Sequence, residues 1–180
     1  TGKTLINAGK VIINNDQSLG QNNQAQFAEG TSLETTVSIR LATPLTLVGN
    51  TTLRTLNNSQ LDLAGSLSGA GRLNKEGDGS LIISGSNSNI NGISVIAGTL
   101  IASTDDSLGA ASATLKLDGG SFQSSTSTDY KHAIELGVNH GIINTQNNNV
   151  NISGLVSGVG KLNKAGAGVL TLTGNNTYSG

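Results

Sequence analysis

The chain has 180 residues, 11 acidic and 10 basic, and a net charge of −1, so it lacks the positive field that captures nucleic acid or an acidic membrane. Aromatics are only 2% of residues and Cys, Met and Trp are missing, which excludes a disulfide framework, a thiolate metal site and a bulky aromatic core. No apolar run approaches the roughly 18 residues of a membrane-spanning helix, and the aliphatic residues come in short clusters alternating with polar ones. Disordered tracts do not keep such periodic Leu, Ile and Val, so the chain reads as many short strands.

Taken in order, strands are expected at Thr4–Ile6 and Lys10–Ile13, joined by a turn at Asn7–Gly9. A turn-rich segment, Asn14–Gly20, is extended by Asn22-Asn23. Further strands are expected around Gln26–Ala28, Leu33–Val37, Ile39–Leu41, Leu45–Val48, Leu53–Leu56, Leu61–Leu63, Arg72–Asn74 and Ser80–Ser84. The second half repeats the series at Thr99–Ala102, Ala113–Leu117, Ser121–Gln123, Ala133–Leu136, Ile142–Asn144, Val150–Ile152, Lys161–Asn163 and Val169–Thr173. Tyr130–Leu136 is the nearest approach to a helix, and it has neither a clear cap nor useful length.

The second half echoes the first at a fixed offset. Val156–Gly180, VSGVGKLNKAGAGVLTLTGNNTYSG, matches Leu67–Asn91, LSGAGRLNKEGDGSLIISGSNSNIN, and every matched pair is 89 positions apart. The same offset carries Gly9 onto Gly98 and Asp16, Ser18, Leu19 and Gly20 onto Asp105, Ser107, Leu108 and Gly109. The chain therefore reads as one segment, 1–180, made of two tandem units at about 3–91 and 92–180. Glycines recur every 20–22 residues, at Gly9, Gly30 and Gly71 and again at Gly98, Gly119 or Gly120, Gly141 and Gly160. Short strands at that period predict an all-β parallel β-helix of roughly eight coils, a rod on the order of 40 Å long. No single coil buries its own apolar face, so stability comes from stacking on neighbours.

Gly160, Leu162, Lys164, Gly166, Gly168, Leu170, Leu172 and Gly174, followed by Asn176, Thr177, Tyr178 and Gly180, resemble the β-strand repeat of autotransporter passenger domains. Gly71, Leu73, Lys75, Gly77, Gly79, Leu81 and Gly85 form a second, degenerate copy, with Ser88-Asn89 where the family places Thr-Tyr. Gly98–Ile101 and Asp105–Gly109 resemble the strand and turn that follow such a repeat. The resemblance implies a right-handed parallel β-helix, secreted by a Gram-negative bacterium through its own C-terminal outer-membrane barrel and exposed at the cell surface. On that reading the chain is an excerpt of a longer passenger, without its signal peptide and barrel. Export without an energy source outside the cell would be helped by folding itself. The partners implied are a host-cell surface or extracellular-matrix ligand, or a second bacterium through self-association; nucleic acid and direct membrane insertion are not among them.

The residues make little case for chemistry, and no catalytic, cofactor or metal residue is assigned. Asp105-Asp106, the adjacent acidic pair, is expected to cap backbone N–H groups in a turn. Glu76-Gly77-Asp78-Gly79 superficially suggests a calcium turn, but its counterparts at Ala165 and Ala167 carry no carboxylate. His132 and His140 are expected at the surface, with only Glu135 as a nearby carboxylate. Gly65-Ser66-Leu67-Ser68-Gly69 has no following helix to make a nucleophile elbow. Lys75 and Lys164 are expected to face solvent, Asn57-Asn58 and Asn147–Asn149 to form turns and coil-to-coil ladders, and Asp129–His140 to be the one candidate insertion. The alternatives are a carbohydrate-active β-helix enzyme, which needs converging carboxylates, and a ligand-free secretion stem.

Overall fold

Alternating apolar and polar residues send every second side chain to the same side of an extended backbone. In the computed structural model, which describes residues 2–20, 23–85, 87 and 90–180, this alternation produces strands of two to five residues and one 3-10 turn, Asp105–Leu108. Asn22, Ser88 and Asn89 lie outside the described residues. Each strand pairs in parallel with strands one coil away, so the chain winds as a β-solenoid of about eight coils.

The coil has three faces. The first carries eight strands: Lys10–Ile12, Thr31–Thr35, Thr51–Thr55, Leu73–Glu76, Ile93–Val95, Thr114–Leu117, Ala133–Leu136 and Val156–Gly158. The second carries seven: Ile39–Leu41, Gln60–Leu63, Ser80–Ile83, Thr99–Ala102, Ser121–Ser124, Gly141–Asn144 and Leu162–Ala165. The third begins with Lys3–Ile6, Gln24–Phe27, Leu45–Leu47 and Leu67–Ser68, and resumes with Asp129–Tyr130, Val150–Ile152 and Leu170–Leu172. Where strands lapse on this face, Asn87 bridges the coils: it accepts from Leu67 N at 2.9 Å and donates to Ser107 O at 3.4 Å.

Inward side chains stack in ladders along the axis. On the first face Leu33, Leu53, Lys75, Val95 and Leu117 follow one another in register, all fully buried. On the second face Leu61, Leu81, Leu100, Phe122 and Ile143 do the same, and Lys164 continues that ladder. Phe122 meets Tyr130 edge to face, with ring centroids 4.9 Å apart. Phe27, Phe122 and Tyr130, three of the chain's four aromatics, are fully buried.

The 89-residue offset has a definite geometric meaning. Register carries Asn74 through Ser94, Lys116 and Glu135 to Ser157, four coils on, and Asn163 lies six residues further, on the next face. Leu73–Glu76 is a first-face strand, whereas Leu162–Ala165 is a second-face strand. Ser80–Ile83 is on the second face and Leu170–Leu172 on the third. Residues 89 apart in the two motifs therefore share a strand-and-turn pattern but sit one face round the rod.

Expected and observed strands coincide to within two or three residues, and four short ones went unread: Leu67–Ser68, Ile93–Val95, Asp129–Tyr130 and Val156–Gly158. These lie next to glycines or are too short to show alternation. Asp129–His140 is not an insertion, since Asp129–Tyr130 and Ala133–Leu136 are regular strands of the third and first faces.

Candidate functional site

The repeat motif is built around its glycines and its lysine. A Cβ at Gly71, Gly79, Gly85, Gly160, Gly168 or Gly174 would collide with a carbonyl oxygen of the preceding coil. Their spacing marks where one coil's backbone rests directly on the coil before it. Leu73 and Leu81 are fully buried, while Leu162, Leu170, Leu172 and Tyr178 are half-buried and pack against the core. Asn176 repeats the bridge made by Asn87: its Oδ1 accepts from Val156 N at 2.9 Å. Thr177 N donates to Val156 O at 2.9 Å, and Gly180 is exposed.

Lys75 corrects the expectation of a solvent-facing residue. It lies two residues from Leu73, on the same side of the strand, and none of its surface is exposed. Its ammonium donates to the carbonyls of Glu76 at 2.8 Å, Gly77 at 2.9 Å and Ala97 at 3.1 Å. Burial pushes it down to about 8, against the pull of Asp78 and Glu76. Lys164 also occupies an inward register position, opposite Ile143, but no coil lies over it and it is exposed. It nonetheless donates to Gly166 O at 2.8 Å, as Lys75 does to Gly77 O.

The second polar cluster joins the 3-10 turn to the next coil. Asp105 Oδ1 accepts from Lys131 N at 2.8 Å and His132 N at 3.3 Å, the backbone-capping role its turn position suggests. His132 is buried rather than at the surface, with Nδ1 2.6 Å from Asp105 Oδ1 and Nε2 2.8 Å from Ala110 O. With both nitrogens occupied, the ring has no free position for a metal or a substrate proton. His140 is exposed, with a positive φ of 67°, and its Nδ1 accepts from Lys161 N at 3.0 Å.

Outward charges pair with one another along the rod. Lys10, Glu34, Arg54 and Glu76 form one ladder up the first face, with contacts of 3.2, 3.3 and 3.4 Å. Arg40 meets Asp62 at 3.2 Å, and Lys116 meets Glu135 at 2.9 Å, a hydrogen bond that raises the Lys116 ammonium above its usual range. The open concavity of about 690 Å³ beside Asn23 and Pro44 is lined by one carboxylate, Asp16, among the described residues. A paired acid and base does not form there. Asn57 and Asn58 adopt the left-handed backbone at φ 56° and 55°, and Asn148 donates across a coil to Ser124 O at 3.2 Å.

This architecture defines a class: a parallel β-solenoid whose recurring motif joins coil to coil. The passenger-associated-transport-repeat family matches residues 73–102 and 162–180, the two motifs and the strands around them. Over 115 residues, 63% of the chain, it is 33% identical to a protein described as the adhesin BmaC autotransporter of Brucella suis biovar 1 (strain 1330). The chain spans 3% of that relative's length. No solved structure matches. The chain is thus a parallel β-solenoid that carries two passenger-associated transport repeats and is similar over part of its length to an autotransporter adhesin.

Proposed function

We propose that this chain is a non-catalytic, surface-exposed scaffold whose outer faces serve adhesion or bacterial self-association, and whose repeats support folding during export. The observation that carries the reading is the stack of coils, in which glycines and inward ladders link each described coil to its neighbours. Such a chain can fold one coil at a time as it emerges. The similarity to an adhesin autotransporter supports the surface role and cell-surface location. Its partners would be a host-cell or matrix ligand, or a second copy on another bacterium, with an outer-membrane barrel of its own parent chain for export.

The test is a capture assay with beads coated in the folded 180-residue chain, compared with uncoated beads. Clumping between coated beads, or their retention by host cells, is the expected result. Inert beads carrying protein that is folded and strand-rich by circular dichroism would overturn the adhesive role and favour a spacer that binds nothing.

A further inference from the structure

We propose that the repeat lysine is a latch between coils: its ammonium is held first by its own turn and is enclosed only when the next coil docks. Lys164 donates to Gly166 O, in its own turn, at 2.8 Å. Lys75 makes the equivalent bond to Gly77 O at 2.9 Å, a second bond within its own turn to Glu76 O at 2.8 Å, and a third to Ala97 O, from the following coil, at 3.1 Å. Gly77 and Gly166 have matching positive φ values of 78° and 84°, so the two turns are shaped alike.

The arriving coil is shaped for this contact. Ile96 N donates to Lys75 O at 2.9 Å and Thr99 N to Gly79 O at 3.2 Å, so hydrogen bonds flank the ammonium on both sides. Between them lies Gly98, where a Cβ would run into the carbonyls of Gly77 and Gly79 and come within 2.7 Å of Lys75 Nζ. A bare backbone is what lets the turn close over the charge.

An exposed ammonium stays hydrated, so a growing tip ending in lysine resists collapse onto an arbitrary apolar segment. Enclosing that ammonium without acceptors would be costly, and a coil in correct register supplies the missing carbonyl. The latch thus penalises a misregistered coil more than the correct one. Its use in ordering coil addition rests on the export-folding role proposed above, whereas the contact itself does not.

The experiment is hydrogen exchange, followed peptide by peptide, on the 180-residue chain and its Lys75→Met and Lys164→Met variants. Methionine keeps an apolar stem and removes the ammonium. The latch requires Lys75→Met to speed exchange across residues 93–102 by about tenfold or more while the coils at 24–63 change less. It also requires Lys164→Met, with no coil to hold, to leave exchange in the other coils unchanged. Wild-type protection in Lys75→Met would overturn the proposal. So would general loss of protection in Lys164→Met, which would place the lysine's effect within its own turn. If Lys75→Met does not fold, Lys75→Ala is titrated with n-propylammonium, which replaces the lost atoms, and with tetramethylammonium, which has no N–H. Recovery of strand signal with the first alone supports the latch, and recovery with both or neither opposes it. These readouts are independent of bead capture, so either proposal can fail while the other stands.

Discussion

Asn87 accepts a hydrogen bond from Leu67 N, twenty residues earlier in the chain, and thereby ties two coils together where the third face has no strand ladder. The side chain is buried and also donates to Gly85 O and Ser107 O. Replacing Asn87 with Ala strands the Leu67 N–H and two carbonyls, a loss of about 1–3 kcal/mol. Urea denaturation should show a lower midpoint for Asn87→Ala, and an unchanged midpoint would mean that water replaces the amide. Asn176 makes the equivalent bond near the exposed end of the stack, so Asn176→Ala should cost less.

Stability should pass through a maximum on the alkaline side. Burial lowers Lys75 from 10.5 to about 8, so between those values the unfolded chain binds a proton that the folded one has released, and stability rises with pH. Tyr130 behaves in the opposite sense. Burial pushes its phenol from 10.0 up to about 12, the folded chain holds the extra proton in that window, and stability falls as pH rises. The urea midpoint should therefore climb above about pH 8 and decline above about pH 10. Lys75→Met should remove the rise and Tyr130→Phe the Tyr130 part of the decline.

The Asp105–His132 contact joins the 3-10 turn to the strand coil that follows. Asp105 is the acceptor for two backbone N–H groups as well as the imidazole, and His132 is only 3% exposed. Asp105→Ala should cost about 3 kcal/mol, because it removes the acceptor facing a buried imidazole nitrogen and two backbone N–H groups together. Thermal unfolding would measure this. A shift no larger than that of a surface substitution would show that the turn closes without the carboxylate.

Gly98→Ala tests the fit of one coil over another. Its φ of 69° alone costs a residue with a Cβ about 1–2 kcal/mol, and the added methyl meets the Gly77 and Gly79 carbonyls. Destabilisation beyond that range is expected, whereas Gly2→Ala, with open space at its Cβ, should be neutral. Equal midpoints for the two variants would count against close coil contact at Gly98.

Much of the fold could be read in the chain because its information is local: a coil of about twenty residues contains its own strands, turns and glycines. Strand parity also contained the placement of Lys75. Counting two residues from Leu73 puts it inside, yet its charge argued for solvent, and only the carbonyls gathered from two coils resolve the conflict. His132 was harder to read, since its partners Asp105 and Ala110 lie 27 and 22 residues away. The face occupied by each motif was likewise hidden, because coil lengths vary. Lys116 to Glu135 is one coil of 19 residues and Glu135 to Ser157 one of 22.

The displacement of Asn163 from Asn74 by four coils and one face gives the motif a handrail's course rather than a stripe's. A third motif at that spacing would point to the remaining side, and only a fourth would return to the first, after about 13 coils or some 60 Å of rod. A flat partner lying along one side would meet one motif in three. The lysine's inward register position and its bond to the carbonyl two residues on recur whichever side faces out. Such a series is invisible as an external barcode and regular as an internal fastening, placing its constancy in the assembly of the rod rather than in what the rod touches.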